Sequence, residues 1–110
     1  MRIVLAILLI AASTSTHAQL NLDSLKTEIE KTHIQVRSSN DWNAYVIKYM
    51  DSDSLVRYII PFNENGQIEE SIWGIALTII NYDTLGRDIE SQYYNRKGIL
   101  HFSDWPPISK

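Results

Sequence analysis

Three five-residue stretches share one pattern: Phe62-Asn63-Glu64-Asn65-Gly66, Tyr82-Asp83-Thr84-Leu85-Gly86 and Tyr94-Asn95-Arg96-Lys97-Gly98. Each has an aromatic residue, then Asn or Asp, two variable residues, and Gly. Asn or Asp at the first position of a type I turn accepts a hydrogen bond from backbone two residues on. Gly at the fourth position takes the left-handed conformation without a Cβ clash. A type I turn followed by a left-handed Gly closes a hairpin with a G1 bulge. The aromatic residue then sits at a strand end, where it packs across to the partner strand. The three stretches are therefore expected to be hairpin tips, with Asn63, Gly66, Asp83, Gly86, Asn95 and Gly98 as their structural turn residues. Tyr49-Met50-Asp51-Ser52-Asp53 reads as a degenerate fourth tip that lacks the glycine.

The segments between the tips read as strands. Residues 43–50 alternate, with Tyr45, Ile47 and Tyr49 on one face. Residues 55–62 are β-branched and aromatic, with Pro61 near the end, where a missing N–H is tolerated. Residues 67–73 place Ile68 and Ile72 on one face and Trp73 on the other. Residues 75–82 are apolar on both faces, which predicts a central strand covered on both sides. Residues 87–94 put Ile89 and Tyr93 opposite Asp88, Glu90 and Gln92. Residues 99–105 close the series before Pro106-Pro107. Gly74 marks a bend or a tight link between strands.

A helix precedes them. Leu22, Leu25, Ile29 and Val36 recur at helical spacing, with Thr32 or His33 between, and Asn21 or Asp23 serves as N-cap. The end of this stretch is ambiguous, because Ile34-Gln35-Val36-Arg37 also alternates. The expected fold is α+β: one N-terminal helix packed on a twisted antiparallel β-meander of about five or six strands, sequence neighbours being neighbours in space.

Tyr82-Asp83-Thr84-Leu85-Gly86-Arg87, followed by Tyr93-Tyr94-Asn95-Arg96-Lys97-Gly98-Ile99-Leu100, resembles the YD (RHS-type) repeat, and the tips are similar to MORN-like hairpin repeats. Small exported proteins of Bacteroidota-type bacteria carry a few such hairpins. The resemblance covers residues 62–100. It implies a structural repeat and transfers no catalytic residue. Large members of the family wrap many repeats into a shell, which three copies cannot form.

Residues 1–18 have the pattern of a cleavable signal peptide: Arg2, then ten apolar residues from Ile3 to Ala12, then a small polar stretch ending Thr16-His17-Ala18. A span needs about 20 apolar residues, and no cysteine follows to take a lipid. The working domain is then 19–110, in the periplasm or outside the cell, with no membrane insertion after cleavage. Such a domain buries little more than about 60% of its unfolded surface. Without cysteine it depends on packing alone. The chain carries 10 Lys and Arg against 13 Asp and Glu, a net charge of −3. The charges are interspersed with no basic stripe, so nucleic acid and anionic membranes are poor partners.

Chemistry-bearing motifs are absent from the sequence. His33 and His101 lack metal-site spacing, no serine lies in Gly-x-Ser-x-Gly, and a cysteine nucleophile is impossible. Asp51-Ser52-Asp53-Ser54 starts like a calcium loop, but Val56 and Phe62 stand where Gly and Glu are needed. Asp88 and Glu90 share a strand face, as charged solvent-facing residues do. No metal and no cofactor are expected. Two classes of function stay open. The first is a non-enzymatic binding module for a protein, peptide or glycan, using a sheet face or the hairpin tips. Trp73, Trp105, Tyr94 and His101 are its candidate ligand-binding residues, with Trp73 first. The second is a small exported enzyme or inhibitor with a site built from His101, Asp104, Asp88 and Glu90. The missing nucleophile and metal motifs favour the first. An edge strand at 43–50 or 99–105 offers pairing to a second copy.

Overall fold

The structure, a computed structural model, describes residues 19–104, with side chains through His101. The expected leader at 1–18, Trp105 and the Pro106-Pro107 stop lie outside the described residues. One helix, α1 (Leu22–Thr32), precedes six strands: β1 (Ile34–Ser38), β2 (Tyr45–Met50), β3 (Val56–Phe62), β4 (Leu77–Tyr82), β5 (Asp88–Tyr94) and β6 (Leu100–Asp104). They form one antiparallel sheet in sequence order, the α+β meander that the tips predict.

Helix α1 starts where Asn21 Oδ1 accepts the Ser24 N–H at 3.0 Å, satisfying one of the donors a helix start leaves open. Its apolar stripe Leu22, Leu25 and Ile29 faces the sheet. Lys26–Glu30 and Lys31–Glu28 pairs lie on the remaining faces. The helix ends at Thr32 because His33 is extended, its N–H still donating to Ile29 O. The alternating Ile34-Gln35-Val36-Arg37 resolves as strand β1. It pairs with β2 from Ile34↔Met50 to Ser38↔Val46. β1 is thus one sheet edge and β2 is internal, a correction to the expectation that 43–50 lies at an edge. The other edge is β6.

Tyr49, Ile60, Phe62, Ile68, Ala76 and Leu77 meet Leu22 and Ile29 in the core, with Tyr45, Ile47, Tyr58, Ile79 and Tyr94 packed around them. All line the helix side of the sheet. Tyr49 is fully buried and its hydroxyl takes no hydrogen bond. The opposite face, carrying Val46, Ile59, Pro61, Thr78 and Ile80, has no second layer among the described residues. β4 is central but covered on one side only. The half-buried Tyr82 instead reaches along that sheet face to donate its hydroxyl to Val56 O at 2.8 Å.

The same backbone closure recurs five times. Residue i donates its N–H to the carbonyl of i+4, and the N–H of i+3 donates to the carbonyl of i. The first residues are Asp51, Asn63, Ser71, Asp83 and Asn95. Gly66, Gly74, Gly86 and Gly98 sit at the fourth position with φ of 77–83°, and Ser54 takes φ 65° in their place. The degenerate tip is therefore real but starts one residue later than its aromatic suggests, with Met50 where the tips at 63, 83 and 95 have Phe or Tyr. Two residues beyond three of these closures the following strand carries one extra residue, Arg57, Ile89 or His101, where the register shifts opposite Tyr49/Met50, Asn81/Tyr82 and Tyr93/Tyr94.

The strand expected over 67–73 does not form. Only Ile68 pairs, opposite Phe62, with Glu69 N–H donating to Pro61 O. The tip at Ser71 then turns the chain, and Ile72 is 63% exposed rather than sharing a face with Ile68. The β3–β4 connection is thus two tips in tandem. β3 pairs with β4 only at Tyr58↔Ile79 and Ile59↔Thr78, and its end pairs with the folded-back arm.

Arg96, a variable tip position, joins three elements. Its Nε donates to Ile68 O at 3.1 Å, its guanidinium meets Asp23 at 3.3 Å, and its backbone N–H donates to Glu70 Oε2 at 2.8 Å. Beside it, Leu20 N–H donates to Gly98 O, bringing the segment before α1 so close that a Cβ on Gly98 would overlap the Leu20 carbonyl.

Left-handed backbone costs a residue with a Cβ about 1–2 kcal/mol. Ser54→Gly is therefore expected to stabilise the fold by several tenths to about 1 kcal/mol in urea unfolding, part of the gain being offset by the greater freedom of Gly in the unfolded chain. Gly86→Ala, which meets nothing, should cost only the backbone term. Gly98→Ala should cost clearly more, and equal losses at the two glycines would refute the Leu20 contact.

Candidate functional site

The open sheet face carries two exposed tryptophans at one end. Trp42 is 49% and Trp73 56% exposed, and their rings meet edge to face, centroids 4.7 Å apart. Each is set by its own loop. Asn40 Oδ1 accepts the N–H groups of Trp42 and Asn43, at 3.0 and 2.7 Å. Ser71 Oγ accepts the Trp73 N–H at 3.3 Å, and the tip closure fixes the turn that presents the indole. Asn43 ties the two loops together: its Nδ2 donates to Glu69 Oε1 at 3.1 Å and to Glu70 O at 3.2 Å.

Between the indoles and the sheet lies a groove of about 170 Å³. Val46, Ile59, Pro61 and Ile75 supply its apolar lining, and Asn40, Asn43, Ser71 and Thr78 its polar groups. Asn43 is only 8% exposed, and its Oδ1 takes no hydrogen bond. A buried acceptor without a donor costs about 1–3 kcal/mol, so this is an unusual atom to find beside a groove.

Two other hollows are polar. One, of about 350 Å³, lies between Gln19–Leu22 and Arg96-Lys97. The other, of about 570 Å³, lies between the tips at Asp51 and Asp83, with Arg57 at its side. Neither has an aromatic wall.

The remaining candidates are dispersed. Tyr94 lies on the helix-covered face against the core, where burial first, and Glu90 second, raises its hydroxyl pKa. His101 is exposed in β6 beside Gly74. Asp88 and Glu90 lie further back along β5, roughly 10–20 Å away along the strand, where Glu90 Oε1 accepts from Asn81 Nδ2 at 3.5 Å. His101 and these carboxylates do not converge, and the side chain of Asp104 lies outside the described residues. Among the described residues, no group of His, Asp or Glu has an arrangement that could hold a metal. Trp42 carried no sequence signal beyond its residue type. Its pairing with Trp73 depends on two loops 31 residues apart in the chain.

The turn residues share one chemistry. Oδ1 of Asp51, Asn63, Asp83 and Asn95 accepts two N–H groups each, from positions i+2 and i+4, at 2.8–3.1 Å. In the two Asp tips the second oxygen accepts from an arginine, Arg57 at 2.7 Å and Arg87 at 2.8 Å. The Arg57 side-chain hydrogen bond first, then the Leu55 N–H, hold the Asp51 carboxyl below its usual range. For Asp83 the Arg87 N–H leads, with its side chain behind it.

No family model, curated protein or solved structure matches the chain. No helix among the described residues is long and apolar enough to cross a membrane.

The two depressed carboxyls bind protons less readily folded than unfolded. Their contribution to stability is complete above the unfolded Asp value of about 3.9 and is lost as pH falls through the folded values. In an NMR acid titration, the amides of Asp53, Leu55, Leu85 and Arg87 should shift together below about pH 4. Those of Asn65, Gln67, Lys97 and Ile99, on carboxamide acceptors, should hold. Uniform movement at all four tips would show that the carboxyls are not the cause.

Proposed function

We propose that the chain is a small exported, non-enzymatic binding module that takes its ligand on the open sheet face, at the Trp42–Trp73 groove. The observation that carries this reading is the indole pair, held half-exposed by two cross-tied loops over an apolar floor. Aromatic residues on the surface give large contact areas at little conformational cost, which is why they dominate binding hot spots. A fold that needed these indoles only as core would place them under α1. The dispersal of His101, Asp88 and Glu90 favours binding over catalysis. The resemblance to YD-type hairpins points the same way, since that repeat supplies scaffold and no active site. The leader pattern at 1–18 supports export to the periplasm or beyond.

The test uses the secreted protein, expressed from the full chain in its producing organism. N-terminal sequencing should begin at Gln19. Immobilised wild type should retain a partner from cell-surface and medium fractions, and Trp42→Ala/Trp73→Ala should retain at least tenfold less. Tenfold corresponds to about 1.4 kcal/mol, well within the range of an interface hot spot. Equal retention by both proteins, or none by either, would remove the groove as a binding site.

A further inference from the structure

The chemistry of the groove narrows what it accepts, given that it is the ligand site proposed above. No Lys, Arg, Asp or Glu lines it, so nothing there neutralises a charged ligand. Its floor, formed by Val46, Ile59 and Pro61, is apolar, and the two indoles form a wall. Its polar side chains besides the indole N–H groups are all neutral: Asn40, Asn43, Ser71 and Thr78. One of them, Asn43 Oδ1, is an acceptor with no donor. The complementary molecule is uncharged, has one apolar face, and presents hydroxyl or amide donors at its rim.

A peptide meets these conditions poorly. The groove lies over β2, β3 and β4, whose backbones pair with their sheet neighbours. An extended peptide on that face would find no ladder for its own N–H and C=O groups, each of which needs a partner when buried. Strand addition belongs at the sheet edges. A pyranose ring has no such requirement. It carries a C–H face suited to an indole and hydroxyls suited to a lone acceptor. A groove of about 170 Å³ has room for a single ring rather than a peptide segment.

We infer that the groove binds one ring of a neutral glycan, its C–H face against Trp42 or Trp73 and one hydroxyl donating to Asn43 Oδ1. That oxygen is shielded by its neighbours, so the hydroxyl reaches it after a small shift of the groove wall.

The experiment is an array of neutral, uronate-bearing and sulfated glycans probed with the full secreted protein. It is followed by NMR titration of the glycan retained, reading the indole N–H signals and the Asn43 side-chain amide. The expected result is retention of a neutral glycan and saturable shifts of both indoles and the Asn43 amide. Trp73→Ala should weaken binding at least tenfold while its other backbone signals stay in place. Among monodeoxy versions of the bound sugar, one should lose about tenfold and fail to move the Asn43 amide. Retention of anionic glycans alone, or shifts confined to residues outside the groove, would overturn the inference. An array with nothing bound would also overturn it. In that case, capture of a protein or peptide that needs Trp42 and Trp73 would leave the binding-module reading standing. Failure of both would remove the two together.

Discussion

One interaction sets the geometry of most of the sheet: a single side-chain oxygen accepting two backbone N–H groups at the first position of four of the five tips. Asp51, Asn63, Asp83 and Asn95 all make it. It folds the i+2 and i+4 amides inward, with the residue between them in the left-handed region. The turn so closed fixes register, and register decides which alternate residues face the helix. A one-residue slip in β3 would exchange Ile60 and Phe62 for Ile59 and Pro61 and expose the core. Ser71 achieves the same closure with a shorter acceptor, which is why a tip can form there without Asn or Asp.

The second constraint is that a single 11-residue helix covers a six-stranded sheet. It buries Leu22 and Ile29 against the middle strands and leaves the reverse face to side chains alone. There Trp42 and Trp73 line one groove with Val46 and Pro61, which are buried with no second layer above them among the described residues. The groove follows from this arrangement: loop side chains roof the apolar face only in part. Arg96 and Asn43 act from opposite sides of the folded-back arm at Ile68–Glu70, holding it to the last tip and to the loop before β2. The tilt of Trp73 is thus tied to residues far from it in sequence.

Much of this was legible in the chain because the tip chemistry is confined to five consecutive residues. Phe62–Gly66, Tyr82–Gly86 and Tyr94–Gly98 announce three hairpins, and Asn21 with the Leu22, Leu25, Ile29 stripe announces the helix. What escaped was structure whose cause is not local. β1 follows the helix with only His33 between them, so no turn residues mark it, and its side chains are exposed apart from a half-buried Ser38. Its register comes entirely from β2. The tip at Ser71 was hidden because Ile72 and Trp73 have strand-forming side chains, and only the closure to Ile75 shows that they turn. The alternation that points Trp73 outward presumes a strand over 67–73. The residue is exposed, but a turn is what exposes it. Trp42 owes its position to Asn40 and to contact with Trp73, neither of which has a short-range signature.

The strict nearest-neighbour order of the strands has a consequence for how such a chain arises. The tips begin at 51, 63, 71, 83 and 95, a step of twelve broken once by a step of eight. Each twelve-residue step is one strand and one self-closing turn, needing only the strand before it as a template. A tandem duplication of such a unit would add a strand at the β6 edge without re-threading anything already folded. Loss of four residues from one unit would convert a strand into the folded-back arm seen at Ile68. Because every pairing closes a short stretch of chain, contact order stays low for an all-antiparallel sheet, which favours rapid folding. The short arm, the irregular member of the series, is also where Trp73 stands. The groove can therefore be read as what a shortened repeat leaves behind, a gap in a periodic sheet where the backbone has turned away and two side chains fill part of the space.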